Sequence, residues 1–174
     1  MEHTQKKMDV QQISPSDTEV EEELTVESVI QHLTNGATLA EVVGITPEQR
    51  EAIYTMGHFF YAQGRYLDAM KFFRFLLFYD QFELRAMFGL GCCLKMLGHY
   101  DQAQIFLGLA VIVNPSDPAP GVQFAECLLM TGKKVEAINL LQKTLKEFGK
   151  LPEHQVLIRK VEALIQLALT PTTE

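Results

Sequence analysis

Three groups of residues in this chain have types that could carry chemistry, but none has the spacing that its chemistry needs. Gly89-Leu90-Gly91 begins like a dinucleotide-binding loop, yet the third glycine of G-x-G-x-x-G would fall at Leu94. The five histidines do not pair at a spacing of three or four residues, so a metal site on a helix is not indicated. No nucleophile stands in a recognisable catalytic motif. The sequence therefore predicts neither an enzyme nor a bound cofactor or metal.

The cysteines indicate reduced thiols rather than zinc ligands or disulfides. The number of cysteines is odd, and no two of them form a C-x-x-C pair; they are Cys92, Cys93 and Cys127. Cys92 and Cys93 are adjacent in a predicted helix, and Cys127 occupies the comparable stretch of the next repeat. We expect three buried or half-buried thiols, which suits a reducing cytoplasm.

Composition and charge exclude further classes of function. The chain has 174 residues and a net charge of −7, of which −6 lies between Asp17 and Glu27. From Ser28 onward, 13 bases face 14 acids, so the body offers no basic surface for a nucleic acid. No apolar run approaches the ~18–20 residues of a membrane span. Met1 is followed by polar residues without the apolar segment of a secretory signal, and we expect the protein to stay where it is made.

The strongest pattern in the chain is a period of 34 residues that relates three segments. A small residue of the first helix, a glycine of the turn and an alanine of the second helix each recur at this spacing. Those anchors are Gly57, Gly91 and Ala125; Gly64, Gly98 and Gly132; and Ala69, Ala103 and Ala137. Three anchors in register are typical of tetratricopeptide repeats, helix–turn–helix units that stack into a curved slab with a concave groove. The sequence predicts an all-α fold whose groove holds a peptide.

Local signals give the organisation around the repeats. Asn35-Gly36 and Gly44 end two short helices, and Thr46-Pro47-Glu48-Gln49 is a capping box that opens the first repeat. A last helix from about Glu153 to Ala168 covers the apolar face of the third repeat with Val156, Leu157, Val161, Leu164, Ile165 and Leu167. The predicted segments are a disordered acidic tail (1–23), N-terminal helices (24–45), three repeats (50–83, 84–117 and 118–151), a capping helix (152–168) and a tail (169–174).

The concave surface of this repeat type is lined by the first helices, at repeat positions near 2, 5, 9 and 12. The residues at these positions are Glu51, Tyr54, His58 and Tyr61; Arg85, Phe88, Cys92 and Lys95; and Ala119, Val122, Glu126 and Leu129. The predicted peptide-binding residues among them are Tyr54, His58, Tyr61, Phe88, Cys92, Lys95, Val122, Glu126 and Leu129. Large rings with polar rims suit an extended peptide with apolar side chains, although some of these rings could instead pack against neighbouring helices. Three apolar anchors at about 1.5–3 kcal/mol each give roughly 5–9 kcal/mol before ordering costs, whereas micromolar binding needs ~8 kcal/mol, so we expect a short motif to bind modestly.

Several segments together resemble a known family. They are Gly36-Ala37-Thr38-Leu39, Ile53-Tyr54 through Tyr61, Gln63-Gly64-Arg65-Tyr66-Leu67-Asp68-Ala69, Phe72-Phe73, Tyr79-Asp80, Phe88-Gly89-Leu90-Gly91-Cys92, Gly98-His99-Tyr100, Ala125-Glu126-Cys127-Leu128-Leu129 and Pro152-Glu153. The chain resembles the class II, or translocator, chaperones of bacterial type III secretion. The resemblance covers about residues 28–168 and includes the short helices ahead of the repeats and the closing helix.

The resemblance implies a function and partners. Such chaperones are cytoplasmic, bind hydrophobic translocators before export and hold an extended translocator motif in the groove. Tyr54, His58, Tyr61 and Phe88 match groove positions of the family, although His58 stands where an aromatic residue is often found. Many members form homodimers through the N-terminal helices, and some act with a transcription activator. The residues that this implies for dimerisation here are Leu24, Val26, Val29, Ile30 and Leu33.

A general tetratricopeptide adaptor is the alternative function. The best-known adaptors clamp a terminal carboxylate with Asn and Lys in the groove. The asparagines of this chain, Asn35, Asn114 and Asn139, all lie outside the predicted first helices, which disfavours that version. An adaptor for another extended apolar peptide stays open.

Overall fold

The computed structural model describes residues 25–170, and those residues form helices and turns without any strand. Their helices are α1 (Val26–Thr34), α2 (Leu39–Val42), α3 (Pro47–Ala62), α4 (Tyr66–Tyr79), α5 (Leu84–Met96), α6 (Tyr100–Val113), α7 (Pro118–Met130), α8 (Lys134–Phe148) and α9 (Gln155–Leu169), the last preceded by a 3₁₀ turn, Pro152–His154. The predicted all-α fold is confirmed. The predicted tail over 1–23, Leu24, and residues 171–174 lie outside the described residues.

The helices form two layers. Consecutive helices from α3 to α9 pack against one another, and α3, α5, α7 and α9 also contact each other in that order. These four helices therefore make one layer, and α4, α6 and α8 make the other. We call the side of the first layer that points away from α4, α6 and α8 the groove face.

The turn glycines close the first helices as predicted. Gly64, Gly98 and Gly132 have φ angles of 75°, 80° and 79°, the left-handed conformation that costs a glycine nothing. At the other end of α3, the Thr46 side chain accepts from the Gln49 N–H, and the Gln49 side chain accepts from the Thr46 N–H. Pro47 occupies the first helical position, so the predicted capping box is confirmed.

Small residues let the two layers approach closely. The ring of Phe73 on α4 lies between Gly57 on α3 and Gly89 on α5, and a β-carbon at those glycines would stand 2.9 and 2.7 Å from the ring. One period later, a β-carbon at Gly91 would stand 2.7 Å from the Leu107 side chain. Both Phe73 and Leu107 are fully buried, so neither has free space into which it could move.

Helix α9 completes the core at the end of the stack. Val161 and Ile165 share a core cluster with Val122 and Leu141 of the third repeat, which confirms the predicted covering role of this helix. Its buried residues, Ile158, Val161, Ile165 and Ala168, form one stripe at spacings of three and four. Two assignments were wrong: Val156 and Leu167 lie off that stripe and are exposed. Within residues 25–170, none of the helices is both long and apolar enough to cross a membrane.

The close approach at Gly91 predicts a stability difference between two glycine-to-alanine substitutions. Gly91→Ala would push a methyl group into the buried Leu107 side chain, and the overpacking outweighs the gain in helix propensity. We expect a loss of about 1–2 kcal/mol in the free energy of unfolding, measured by urea denaturation.

Gly108→Ala is the matched control. Gly108 lies inside α6, and a β-carbon there would meet nothing within 4 Å. This variant should gain about 0.5–1 kcal/mol from helix propensity alone. Equal stabilisation by both substitutions would contradict the proposed close packing.

Candidate functional site

The predicted groove residues sit on the three first helices at different depths. Tyr54, Tyr61, Phe88, Lys95, Glu126 and Leu129 are half-buried, and His58 is exposed. Two members of the predicted set have little or no surface: Cys92 is buried in the first core cluster and Val122 is 0% exposed. Val122 packs in the same cluster as Val161 and Ile165 of α9, so it supports the groove face from below rather than lining it.

The rings of α3 rest on the core and present an amphipathic surface. The Tyr54 ring centroid lies 6.0 Å from that of Phe73 and 6.3 Å from that of His58. Tyr61 meets Tyr66 edge-on at 5.4 Å. Burial raises the pKa of Tyr54, and it raises the pKa of Tyr61 to about 12. Both hydroxyls therefore stay protonated at neutral pH and keep their hydrogen-bond donors.

A small cleft adjoins Phe88 where α5, α6 and α7 meet. Its volume is about 160 Å³, below the several hundred cubic ångströms of a typical small-molecule pocket. A cleft of this size suits single side chains better than a whole ligand. Its walls are Leu84, Arg85, Phe88, Ala110, Asn114, Asp117 and Pro120.

Arg85 ties the first two repeats together at one end of the groove face. Its Nη1 donates to Glu51 Oε2 at 2.7 Å, and its Nε donates to Glu83 Oε1 at 3.2 Å. Its guanidinium carbon lies 4.2 Å from the centroid of the Tyr54 ring, within the range of a cation–π contact. The group of Glu51, Glu83 and Arg85 has two carboxylates and one guanidinium, and therefore a net charge of −1.

Lys95, Glu126 and Lys160 form what we call the lysine–glutamate cluster, which joins α5, α7 and α9. Lys95 Nζ donates to Glu126 Oε2 and to Gln123 Oε1, and Lys160 Nζ donates to Glu126 Oε1. The side chains of Lys95 and Glu126 are 17% and 16% exposed, and that of Lys160 is 43% exposed.

Glu126 is ionised despite its burial. Burial alone would raise its pKa, but the hydrogen bonds from Lys160 and Lys95 outweigh that effect and hold the pKa below its ordinary value. With both ammonium groups charged, the lysine–glutamate cluster has a net charge of +1. The lysine–glutamate cluster and the group around Arg85 therefore have net charges of opposite sign.

The sequence prediction did not include Lys160, although one signal could have found it. Lys160 follows Glu126 by 34 residues, one repeat period, so it occupies the groove position of a fourth first helix. Arg85 follows Glu51 by the same interval. Extending the register past the third repeat would have placed Lys160 beside Glu126.

The state of the three cysteines follows from their burial. Cys92, Cys93 and Cys127 are buried free thiols, as predicted. Burial raises their pKa values to about 12, 12 and 11, so they are protonated and unreactive at neutral pH. No cluster of three His, Cys, Asp or Glu side chains between residues 25 and 170 could hold a metal ion.

Helix α1 presents an apolar stripe that nothing within the described residues covers completely. None of its residues is buried, and Val26 and Ile30 are 71% and 56% exposed. Leu33 is also exposed and Val29 is half-buried. The stripe contains the residues that were predicted for dimerisation, apart from Leu24.

Comparisons with known proteins agree on one family. No protein-family model matches the chain. The chain is 30% identical over 134 residues to low calcium response locus protein H of Yersinia pseudotuberculosis, covering 77% of this chain and 80% of that one. The type III secretion translocator chaperone SycD of Yersinia enterocolitica has a similar structure, with a TM-score of 0.71, 29% identity and coverage of 76% and 98%.

A third comparison includes a bound partner. PcrH, solved in complex with the chaperone binding region of PopD, matches with a TM-score of 0.68 and 26% identity, covering 72% of this chain and 94% of PcrH. The structure of PcrH from Pseudomonas aeruginosa without that partner is also similar. SycD has also been solved as an alternative dimer.

The lowered pKa of Glu126 predicts a pH-dependent contribution to stability. A carboxyl whose folded pKa is depressed stabilises the fold above its unfolded pKa, near 4.5, and loses that contribution as pH falls through the folded pKa. Glu126→Gln should lower the free energy of unfolding by about 1–3 kcal/mol at pH 7. Below pH 4.5, the difference in the free energy of unfolding between this variant and the wild type should shrink, as measured by urea denaturation.

Glu162→Gln provides the control because Glu162 is an exposed glutamate on α9. Its stability should follow that of the wild type at every pH. If the stability difference between Glu126→Gln and the wild type stays constant from neutral to acid pH, the charge of Glu126 is not what stabilises the fold.

Proposed function

The chain belongs to the family of bacterial type III secretion translocator chaperones, and we propose that its groove face holds an extended apolar segment of a translocator before export. The observation that carries this proposal is the set of half-buried rings, Tyr54, Tyr61 and Phe88, on one accessible face. The relatives are chaperones, so the function is binding rather than a chemical reaction. The PcrH complex supports the same function for this chain.

The physical task of such a chaperone is to keep a membrane-inserting protein apart from its own copies. Apolar segments associate in water because burying apolar surface is favourable. A groove that covers one segment removes that surface from water without a nucleotide cycle. Three ring contacts provide about 5–9 kcal/mol before ordering costs, which corresponds to modest affinity and allows release for export.

The groove residues divide into three proposed roles. Tyr54, Tyr61 and Phe88 contact apolar side chains of the client, while Leu129 extends that surface onto α7. His58 is an exposed polar rim of the ring surface. Cys92 and Val122 act indirectly, because their burial fixes the floor on which the lining residues stand.

We also propose that this chain works in the bacterial cytoplasm as a homodimer. Three buried, protonated thiols suit a reducing compartment, and a translocator has to be bound before it leaves the cell. The apolar stripe of α1 supplies a surface that a second copy would cover. The SycD dimer supports self-association in the family.

The groove assignment predicts the effect of removing two rings. The client is first identified by co-purification from the native host and mass spectrometry, and its tightest-binding short peptide is used as the probe. Tyr54→Ala combined with Phe88→Ala should make the binding free energy of that peptide less favourable by at least about 1–2 kcal/mol, as measured by calorimetry. The helicity measured by circular dichroism should be retained.

Ile105→Ala combined with Ile112→Ala is the matched control, because both residues are exposed on α6 in the opposite layer. This control should bind the peptide like the wild type. If the ring-deleted and control proteins bind with the same affinity, the peptide does not use the groove face. Recovery of a client other than a translocator would argue against the proposed function.

The dimer proposal predicts that a charge on α1 disrupts self-association. Ile30→Glu places a carboxylate in the exposed apolar stripe, where burial against a second copy would strip it of water. Sedimentation should show a dissociation constant raised at least about tenfold, with Gln31→Glu on the same helix as the control. An unchanged dimer in both variants would place the interface elsewhere.

A further inference from the structure

The lysine–glutamate cluster has one positive charge more than it can pair internally. Glu126 uses one carboxylate oxygen for Lys95 and the other for Lys160. Lys95 has a second acceptor in Gln123, whereas among the described residues Lys160 donates only to Glu126. The Lys160 side chain is 43% exposed, so water has access to it. It has further donors available for an incoming acceptor.

The cluster is continuous with the ring-lined part of the groove face. Tyr61 and Phe88 pack against the core cluster that contains Cys92. Lys95 follows Phe88 by seven residues and Cys92 by three on α5, so these residues lie on one face of that helix. An extended segment that contacts Tyr61 on α3 and continues across α5 and α7 would therefore meet the cluster next.

Covering this cluster with a peptide has an electrostatic consequence. A bound segment would remove water from the Lys160 ammonium, and an ammonium without a partner is costly to desolvate. If an apolar or basic side chain of the peptide lay above Lys160, this desolvation cost would reduce the binding free energy in full. A carboxylate would instead pair two acids with two ammonium groups through short, charge-assisted hydrogen bonds.

We propose that Lys160 and Lys95 form, around Glu126, a subsite that accepts one aspartate or glutamate side chain of the client segment. The subsite rests on the proposed function, because its ligand is part of the same extended peptide. It also gives the groove a direction. The opposite end, at Glu51, Arg85 and Glu83, has a net charge of −1 and would repel the same acid.

The test measures the coupling between Lys160 and each acid of the peptide. The probes are the tightest-binding translocator peptide and a series in which each Asp or Glu is changed singly to Asn or Gln. At one position, neutralising the acid should weaken binding to the wild type about tenfold. The same change should have little effect on binding to Lys160→Gln. Lys160→Arg should keep the preference because it keeps the charge.

The control variant is Lys150→Gln, an exposed lysine outside the cluster, which should show the full wild-type preference. Circular dichroism of each variant verifies its fold before binding is measured. The subsite is overturned if no acid distinguishes the wild type from Lys160→Gln, or if the tightest-binding peptide contains no acid. Failure of every translocator peptide to bind the folded wild type would instead overturn the proposed function, and the subsite with it.

Discussion

The groove depends on one packing constraint, the enclosure of the Phe73 ring between two glycines. Gly57 on α3 and Gly89 on α5 approach the ring so closely that neither has room for a β-carbon. The same ring lies 6.0 Å from that of Tyr54, on the groove side of α3. A larger residue at either glycine would push α3 or α5 outward and change the distance between their groove residues. The core thus sets the spacing of the surface that we propose holds the client.

This constraint also explains a motif that has the appearance of a nucleotide-binding loop. Gly89-Leu90-Gly91 lies inside α5, and each of its glycines makes room for a different neighbour, Phe73 for Gly89 and Leu107 for Gly91. The spacing of the glycines was enough to exclude a dinucleotide site. That spacing did not reveal why a glycine is needed at position 89, because the need comes from the Phe73 ring on the neighbouring helix. The later repeats have leucine there, and position 123 is glutamine rather than glycine.

The 34-residue period predicted the repeats and their turns but not the extent of the groove face. Small residues recur at Gly57, Gly91 and Ala125, and the next position in register is Arg159, so the pattern ends before α9. The structure nevertheless places α9 beside α7, in the layer of first helices. Packing by α9 also buries Val122, whereas Phe88, one period earlier, stays half-buried. Repeat position predicts which way a side chain points, but its exposure depends on the neighbouring helix.

The two charged groups of the groove face share one arrangement and differ in the charge of their third member. In each, a glutamate on one first helix pairs with a base one period later, Glu51 with Arg85 and Glu126 with Lys160. Glu83 adds an acid to the first group, and Lys95 adds a base to the second. Rings alone would hold an apolar segment in either direction, because hydrophobic contacts do not depend on chain polarity. Opposite net charges at the two ends remove that ambiguity, so the groove can select the direction of an extended client while its affinity stays modest.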